Sequence, residues 1–195
     1  MKSARVVVVN GLPGVGKSTQ AHHIAMRLGW PLFTKDMFKE SLFDSLGWSD
    51  RAWSRRLSQA SMDLLFLTLQ CELHAGRSCV IEGNFESERD TPRFLAASTT
   101  CVVTWVQVLV VCDGATLWQR HRERGASGQR HPGHQEAAVA EELRDRLLTG
   151  RVAPLSLPGA LLEVDTTDVQ KISLTAIMRA IATGFETHGS TTATD

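Results

Sequence analysis

The sequence has no excess charge of either sign. Its 21 Lys and Arg are matched by 21 Asp and Glu, so no global field draws it to nucleic acid or to an anionic membrane, and any basic site must be local. Long apolar runs are missing as well. The stretch Val6 to Val9 is too short for a signal-peptide core, and nothing approaches the roughly 18 apolar residues of a membrane span, so a cytoplasmic protein without membrane association is expected. The four cysteines, Cys71, Cys79, Cys101 and Cys112, show no C-x-x-C spacing. Three lie in or beside apolar strand-like runs and read as buried thiols, not as zinc ligands or disulfides.

What is present is the composition of an ordinary globular chain: 195 residues, 43% hydrophobic and 22% charged, enough for one domain with a substantial core. Residues 1–187 are expected to form that domain. The small polar tail "THGSTTATD" reads as frayed, with 188–195 flexible. Apolar runs predict strands over Ala4 to Asn10, Pro31 to Thr34, Ser78 to Glu82, Thr100 to Cys112 and Ala160 to Val164, alternating with longer helical patterns. The strands are continuous Val/Ile/Leu runs, which fits an α/β fold whose parallel sheet is covered by helices on both faces. Helices are predicted over Asp36 to Leu46 and from about Asp50 to Ala75. The second carries Leu57, Ala60, Leu64 and Cys71 on its apolar stripe and Gly76 as C-cap. Further on, Ala115 to Arg124 reads as helix, "GASGQRHPGH" as loop, and Gln135 to Leu148 as an amphipathic helix with Val139, Leu143 and Leu147 inward. A helix-loop-helix over about 115–150 is placed to fold over a site as a lid.

"GLPGVGKS", Gly11 to Ser18, satisfies G-x-x-x-x-G-K-[ST] between a predicted strand and a predicted helix, the context the motif needs. Gly11, Gly14 and Gly16 let backbone N–H groups turn inward around a phosphate, with Pro13 and Val15 in the same loop. The following helix adds its positive end, Lys17 reaches the outer phosphates, and Ser18 offers a hydroxyl to Mg²⁺, with Thr19 beside it. The N-K-x-D pattern of many guanine-binding P-loop proteins is absent, which favours ATP over GTP.

Asp36 closes the second apolar run, at the sheet edge that carries the P-loop. It reads as a base for an acceptor hydroxyl or a metal-associated carboxylate, with a plain helix cap as the alternative. Glu82 ends "CVIE", where a metal-associated carboxylate is placed in such proteins, and a solvated strand-end glutamate is the competing reading. Asn84 and Phe85 follow as acceptor contacts. Arg120 and Arg124 are four apart on one helical face and Arg130 lies in a glycine-bearing loop, an arrangement suited to neutralising a transferring phosphoryl group, while Arg122 points elsewhere. His121, His131 and His134 lack the companions a zinc site needs. Trp48, Trp53, Arg51, Arg55 and Arg56 form a patch that fits a ring or an anionic acceptor, or else core tryptophans beside solvated arginines. Thr166 and Thr167, in "VDTTD", fall beside the expected base.

Taken together, "GLPGVGKST", Asp36, "VIEGNF", "RHRERGASGQRHPGH" and "VDTT" make the chain resemble the small P-loop kinases related to chloramphenicol phosphotransferase, zeta toxins, gluconate kinase and polynucleotide kinase domains. The resemblance spans most of residues 4–185 and implies a three-layer P-loop NTPase fold, a five-stranded parallel sheet in order 2-3-1-4-5, an arginine lid over ATP-Mg²⁺, and catalysis by Asp36 as base. Glu82 departs from the commoner Asp. The expected activity is ATP-dependent phosphorylation of a small-molecule hydroxyl, a metabolite or an antibiotic. A nucleic-acid 5′-hydroxyl kinase is the alternative that neutral charge disfavours, and a nucleotide-dependent switch or ATPase the alternative of another class.

Overall fold

The computed structural model describes residues 2–128 and 130–189. Five strands, β1 (Lys2–Gly11), β2 (Leu32–Thr34), β3 (Cys79–Gly83), β4 (Cys101–Val111) and β5 (Gly159–Asp165), pair in the order β2-β3-β1-β4-β5. Every pairing is parallel. Among the described residues the α-helices are α1 (Lys17–Leu28), α2 (Lys35–Leu46), α3 (Arg51–Ala75), α4 (Ser87–Ala97), α5 (Gly114–Ser127), α6 (Glu136–Leu148) and α7 (Leu174–Gly189). The predicted order and architecture are therefore observed.

The sheet has two cores because successive side chains of a strand point to opposite faces. Val7 and Val9 of β1 pack with Ile24 of α1 and with Ile177, Ile181 and Phe185 of α7. Val6 and Val8 pack on the other face with Leu65, Leu69 and Leu73 of α3 and Phe94 of α4. With both faces covered, β1 has no polar side to show, which is why it reads as an unbroken valine run.

Several local expectations need correction. The buried stripe of α3 is Leu57, Ser61, Leu65, Leu69 and Leu73, with Met62 and Phe66 beside it, whereas Leu64 and Cys71 are exposed. The two stripes share Leu57 but diverge by roughly a quarter-turn, and the aromatic neighbours Phe94 of α4 and Phe85, just after β3, decide which is inside. Helix α5 continues to Ser127, so the segment predicted as loop is a helix end, then Gly128 in the left-handed conformation, then a 3₁₀ turn at Pro132–His134. Cys79, Cys101 and Cys112 are buried thiols, as expected. Helix α7 runs through Gly189; the rest of the predicted flexible tail, 190–195, lies outside the described residues, as does Gln129. Among the described residues no helix is long and apolar enough to cross a membrane.

Candidate active site

β1 ends at Gly11 and α1 starts at Lys17, so residues 12–16 bend at the C-terminal edge of the central strand, where open parallel sheets place their ligands. Gly14 and Gly16 hold φ of 82° and 93°, values that side chains disfavour. No capping side chain claims the first N–H groups of α1. Lys17 is buried; its Nζ donates to the Leu12 carbonyl at 2.8 Å and lies 3.9 Å from Glu82 Oε1. Ser18 donates to Glu82 Oε2 at 3.2 Å. Glu82 itself is 4% exposed, registered between Val9 and Thr34, so it is no solvated strand end. Burial pushes the Lys17 pKa down and the Glu82 pKa up, and each is partly offset by the charge of the other. The Ser18 and Glu82 oxygens, side by side at the P-loop, are the hard donors that fit Mg²⁺.

Asp36 is the second residue of α2, and Thr34 caps that helix by accepting the Met37 N–H at 3.0 Å. The helix-cap reading of Asp36 therefore fails. Its carboxylate accepts from Arg130 at 2.5 Å and has Lys35 at 3.9 Å. Burial alone would raise its pKa, but Arg130, Lys35 and His134 outweigh burial and hold it well below the carboxylate range.

Three cavities meet the P-loop. One of about 270 Å³ is lined by Gly14, Lys17, Ser18, Glu82, Arg124 and Arg130 among others; its size and donors suit phosphate groups. A second, of about 360 Å³, lies between residues of α2 and α3 and residues 130–146, including Val139, Leu143 and Arg146 of α6. Pro13, Asp36, Asn84 and Arg130 line both. The third, about 430 Å³ and largely apolar, runs from Gly14 and Val15 to Thr166, Val169, Ile172 and Leu174 on the opposite side of the loop. It suits a nucleobase.

Arg120, Arg124 and Arg130 have different sets of partners. Arg124 makes a paired contact to Glu136 at 3.0 and 2.5 Å, and Arg130 bridges Asp36, Glu40 and Glu136. Arg120 instead donates to the carbonyls of Thr166 (2.8 Å) and Thr167 (2.9 Å) and lines the base cavity, not the phosphate cavity. Arg122 is exposed and lies over Trp118. Thr166 faces the base cavity, but its hydroxyl is spent on the carbonyls of Val15 and Val111. The Thr167 hydroxyl donates to Asp165. Phe85 is a correction: it is fully buried in the aromatic core, so it does not meet an acceptor. Asn84 does line the cavity. Of the tryptophan–arginine patch, Arg51 and Arg55 line the cavity. Trp53 donates to the Gly47 carbonyl, closing the α2–α3 turn, and Trp48 is half exposed.

Sequence reading missed four contributors, Asn10, Glu136, Lys35 and Lys39, and weighed a fifth, His121, only as a metal ligand. Asn10 clamps Phe85 by accepting its N–H at 2.9 Å and donating to its carbonyl at 3.1 Å, which fixes the chain leaving Glu82. Glu136 anchors both Arg124 and Arg130. Lys35 and Lys39 line the second cavity, and the only sign of them was their i, i+4 spacing around Asp36 in "TKDMFKE". His121, 1% exposed, lines it too, with no hydrogen-bond partner for Nδ1 among the described residues.

A protein family described as an AAA domain matches residues 6–148. A candidate kinase from Chloroflexus aurantiacus J-10-fl is 38% identical, with a TM-score of 0.85 over 94% of this chain and 99% of that one. A sugar kinase from Janibacter sp. HTCC2649, 14% identical with a TM-score of 0.54 over 94% and 95% of the two chains, shares the fold. No curated protein matches. With a P-loop at the head of a 2-3-1-4-5 sheet and a family match over 6–148, the chain belongs to the AAA-domain family and has a kinase-like P-loop fold.

Proposed function

We propose that the protein transfers the γ-phosphoryl group of ATP to a hydroxyl of a small molecule. One observation carries this reading: the phosphate cavity adjoins a second cavity, and Pro13, Asp36, Asn84 and Arg130 line both. A transferring group at that junction has the nucleotide on one side and room for an acceptor on the other. A switch or ATPase has no need of the second cavity.

The chain's residues divide the work as follows. The loop from Gly11 to Gly16 and Lys17 hold the outer phosphates, and the base lies in the Val15–Leu174 cavity against Arg120. Ser18 and Glu82 would hold Mg²⁺, which supplies neutralisation of phosphate charge when bound. Asp36 is ionised at neutral pH, so it can accept a proton, but in its pair with Arg130 it is a weak base. Arg130 is drawn toward the more highly charged phosphates, freeing the carboxylate at the moment the nucleotide is in place. Asp36 then takes the acceptor's hydroxyl proton as the acceptor oxygen bonds to the γ-phosphorus and the bond to the β–γ bridging oxygen breaks, leaving ADP. Arg124 and Arg130 neutralise charge on the group in transit, and the lid excludes water.

The test is incubation of the purified protein with ATP-Mg²⁺ and pools of hydroxyl-bearing metabolites and antibiotics, with mass detection of a product heavier by one phosphoryl group. ATP hydrolysis at one rate in all pools, with no such product, would leave a switch or ATPase as the correct reading.

A further inference from the structure

The chemistry of the second cavity narrows the acceptor. Seven cationic side chains line it against three carboxylates. Carboxylates outside its lining also pair with the arginines, Asp90 with Arg89, Glu142 with both Arg51 and Arg55, and Glu40 with Arg130. Among the described residues the two lining cations with no carboxylate closer than 3.9 Å are Lys35 and Lys39. They lie one turn apart on α2, and each is held by a neutral hydroxyl one turn apart on α3: Lys35 Nζ donates to Ser58 at 2.8 Å and Lys39 Nζ to Ser54 at 3.0 Å. Lys39 is 4% exposed and among the described residues has no carboxylate partner. Lys35 has only the distant edge of Asp36, at 3.9 Å.

A buried ammonium is costly without an opposite charge, and a purely structural lysine would be matched with a carboxylate. Serine partners instead fix the position of each ammonium while contributing no negative charge, and the other contacts, Asp36 at 3.9 Å from Lys35 and the Phe43 ring 5.1 Å from Lys39, leave each charge only partly offset. That is the arrangement of a seat for an anion. The lid roofs the cavity, with Ser54 also donating to the Gly133 carbonyl at 3.1 Å, and about 360 Å³ accommodates a metabolite, not a polymer.

We infer that the acceptor is a small anionic alcohol whose carboxylate or phosphate sits on Lys35 and Lys39, with Arg51 and Arg55 at the rim, while its hydroxyl meets Asp36. Asp36 and Lys39 are three residues apart on one helix face, so anion and reacting hydroxyl are separated by about one turn, roughly 5 Å. That spacing matches a hydroxy acid or a phosphorylated polyol of a few carbons. Burial lowers the Lys39 pKa to about 7, with Lys35 adding to the effect, consistent with a site that favours an incoming negative charge. The inference rests on the phosphotransferase reading, because it assumes the nucleotide occupies the P-loop side.

The experiment fills the P-loop with AMP-PNP-Mg²⁺ and follows thermal unfolding while sulfate is added, against sodium chloride at matched ionic strength; acetate in a parallel series tells a carboxylate seat from a tetrahedral-oxyanion seat. Wild type should gain roughly 2–4 °C at saturating anion. Lys39→Met should lose most of that gain, and Lys35→Met, kept as a second variant in case the first folds poorly, should lose part of it. No anion-specific gain in wild type, or an equal gain in both variants, overturns the inference. If AMP-PNP-Mg²⁺ fails to bind, it is the phosphotransferase reading that falls, and the Lys39-dependent difference is then read without nucleotide.

Discussion

Asp36 carries the sharpest claim at the scale of single residues. Asp36→Asn preserves size and most hydrogen bonding but removes the proton acceptor, so phosphoryl transfer should drop by roughly 10²–10⁴-fold. ATP affinity, measured by calorimetry on the same preparation, should change little, because Lys17 and Ser18 are untouched; wild-type transfer in this variant would send the search for the base elsewhere. Lys39 gives a pH-dependent counterpart. Its pKa is 10.5 unfolded and about 7 folded, set by burial, by Lys35 and Asp36 on its own helix, by Arg51 of α3 and by Arg130 of the lid. Between those values the unfolded chain binds a proton that the folded chain does not, so Lys39 costs most at pH 7 and below, and its cost fades as pH rises toward 10. Lys39→Met should therefore be more stable than wild type at pH 6 in anion-free buffer, with the gap closing by pH 9.5 in denaturant unfolding. A gap independent of pH would show that Lys39 is not a buried charge. Asp36 was legible in the sequence because it follows an apolar run at the P-loop edge. Lys39 was not, since a lysine four residues after another reads as a solvated helix face until α3 is known to cover it.

Among the elements, the lid depends on contacts that span the chain. Arg130 reaches Asp36 across 94 positions, and the 3₁₀ turn seats Gly133 against Phe43, which is 1% exposed. A Cβ at Gly133 would stand 2.7 Å from the Phe43 ring, closer than carbon atoms approach without displacement. Gly133→Ala should thus lift the turn, speed amide hydrogen exchange across 114–148, and raise the acceptor KM several-fold more than that of ATP. Exchange unchanged from wild type would mean the lid is not docked through this contact. The arginines of the lid were legible as a cluster, because their spacing on a helix is local information. Their partition was not: nothing in "RHRERG" tells that Arg120 turns to the carbonyls of Thr166 and Thr167 while Arg124 turns to Glu136, because those partners are set by how α5 lies beside the segment that follows β5 and against α6. The same limit applies to α3, where two apolar stripes were available and the aromatic cluster of Phe66, Phe85 and Phe94 selected one.

For the molecule as a whole, the parallel α/β architecture and the P-loop were readable because each rests on strong local signals: unbroken apolar strands separated by helices, and an eight-residue loop with four fixed positions; the strand order followed only from the resemblance to the small P-loop kinases. The base cavity was not, because it is assembled from α1, α5 and residues 166–174, segments that only the finished sheet brings together. This assembly links nucleotide binding to global stability. A ligand that binds only the folded chain stabilises it by about 2.7 kcal/mol at a hundred times its Kd, which for a chain of this length is roughly 5–10 °C in melting temperature. ATP-Mg²⁺ should raise the melting temperature of wild type by that amount. Lys17→Ala removes the ammonium that meets the outer phosphates, so the shift should shrink to a small fraction and turnover fall by at least about a hundredfold. Asp36→Asn should keep the full shift while losing transfer, separating a chain that cannot hold nucleotide from one that holds it and cannot use it. GTP, at the same concentration, should shift wild type less than ATP. A full ATP-dependent shift in Lys17→Ala would show that the nucleotide binds somewhere other than the P-loop.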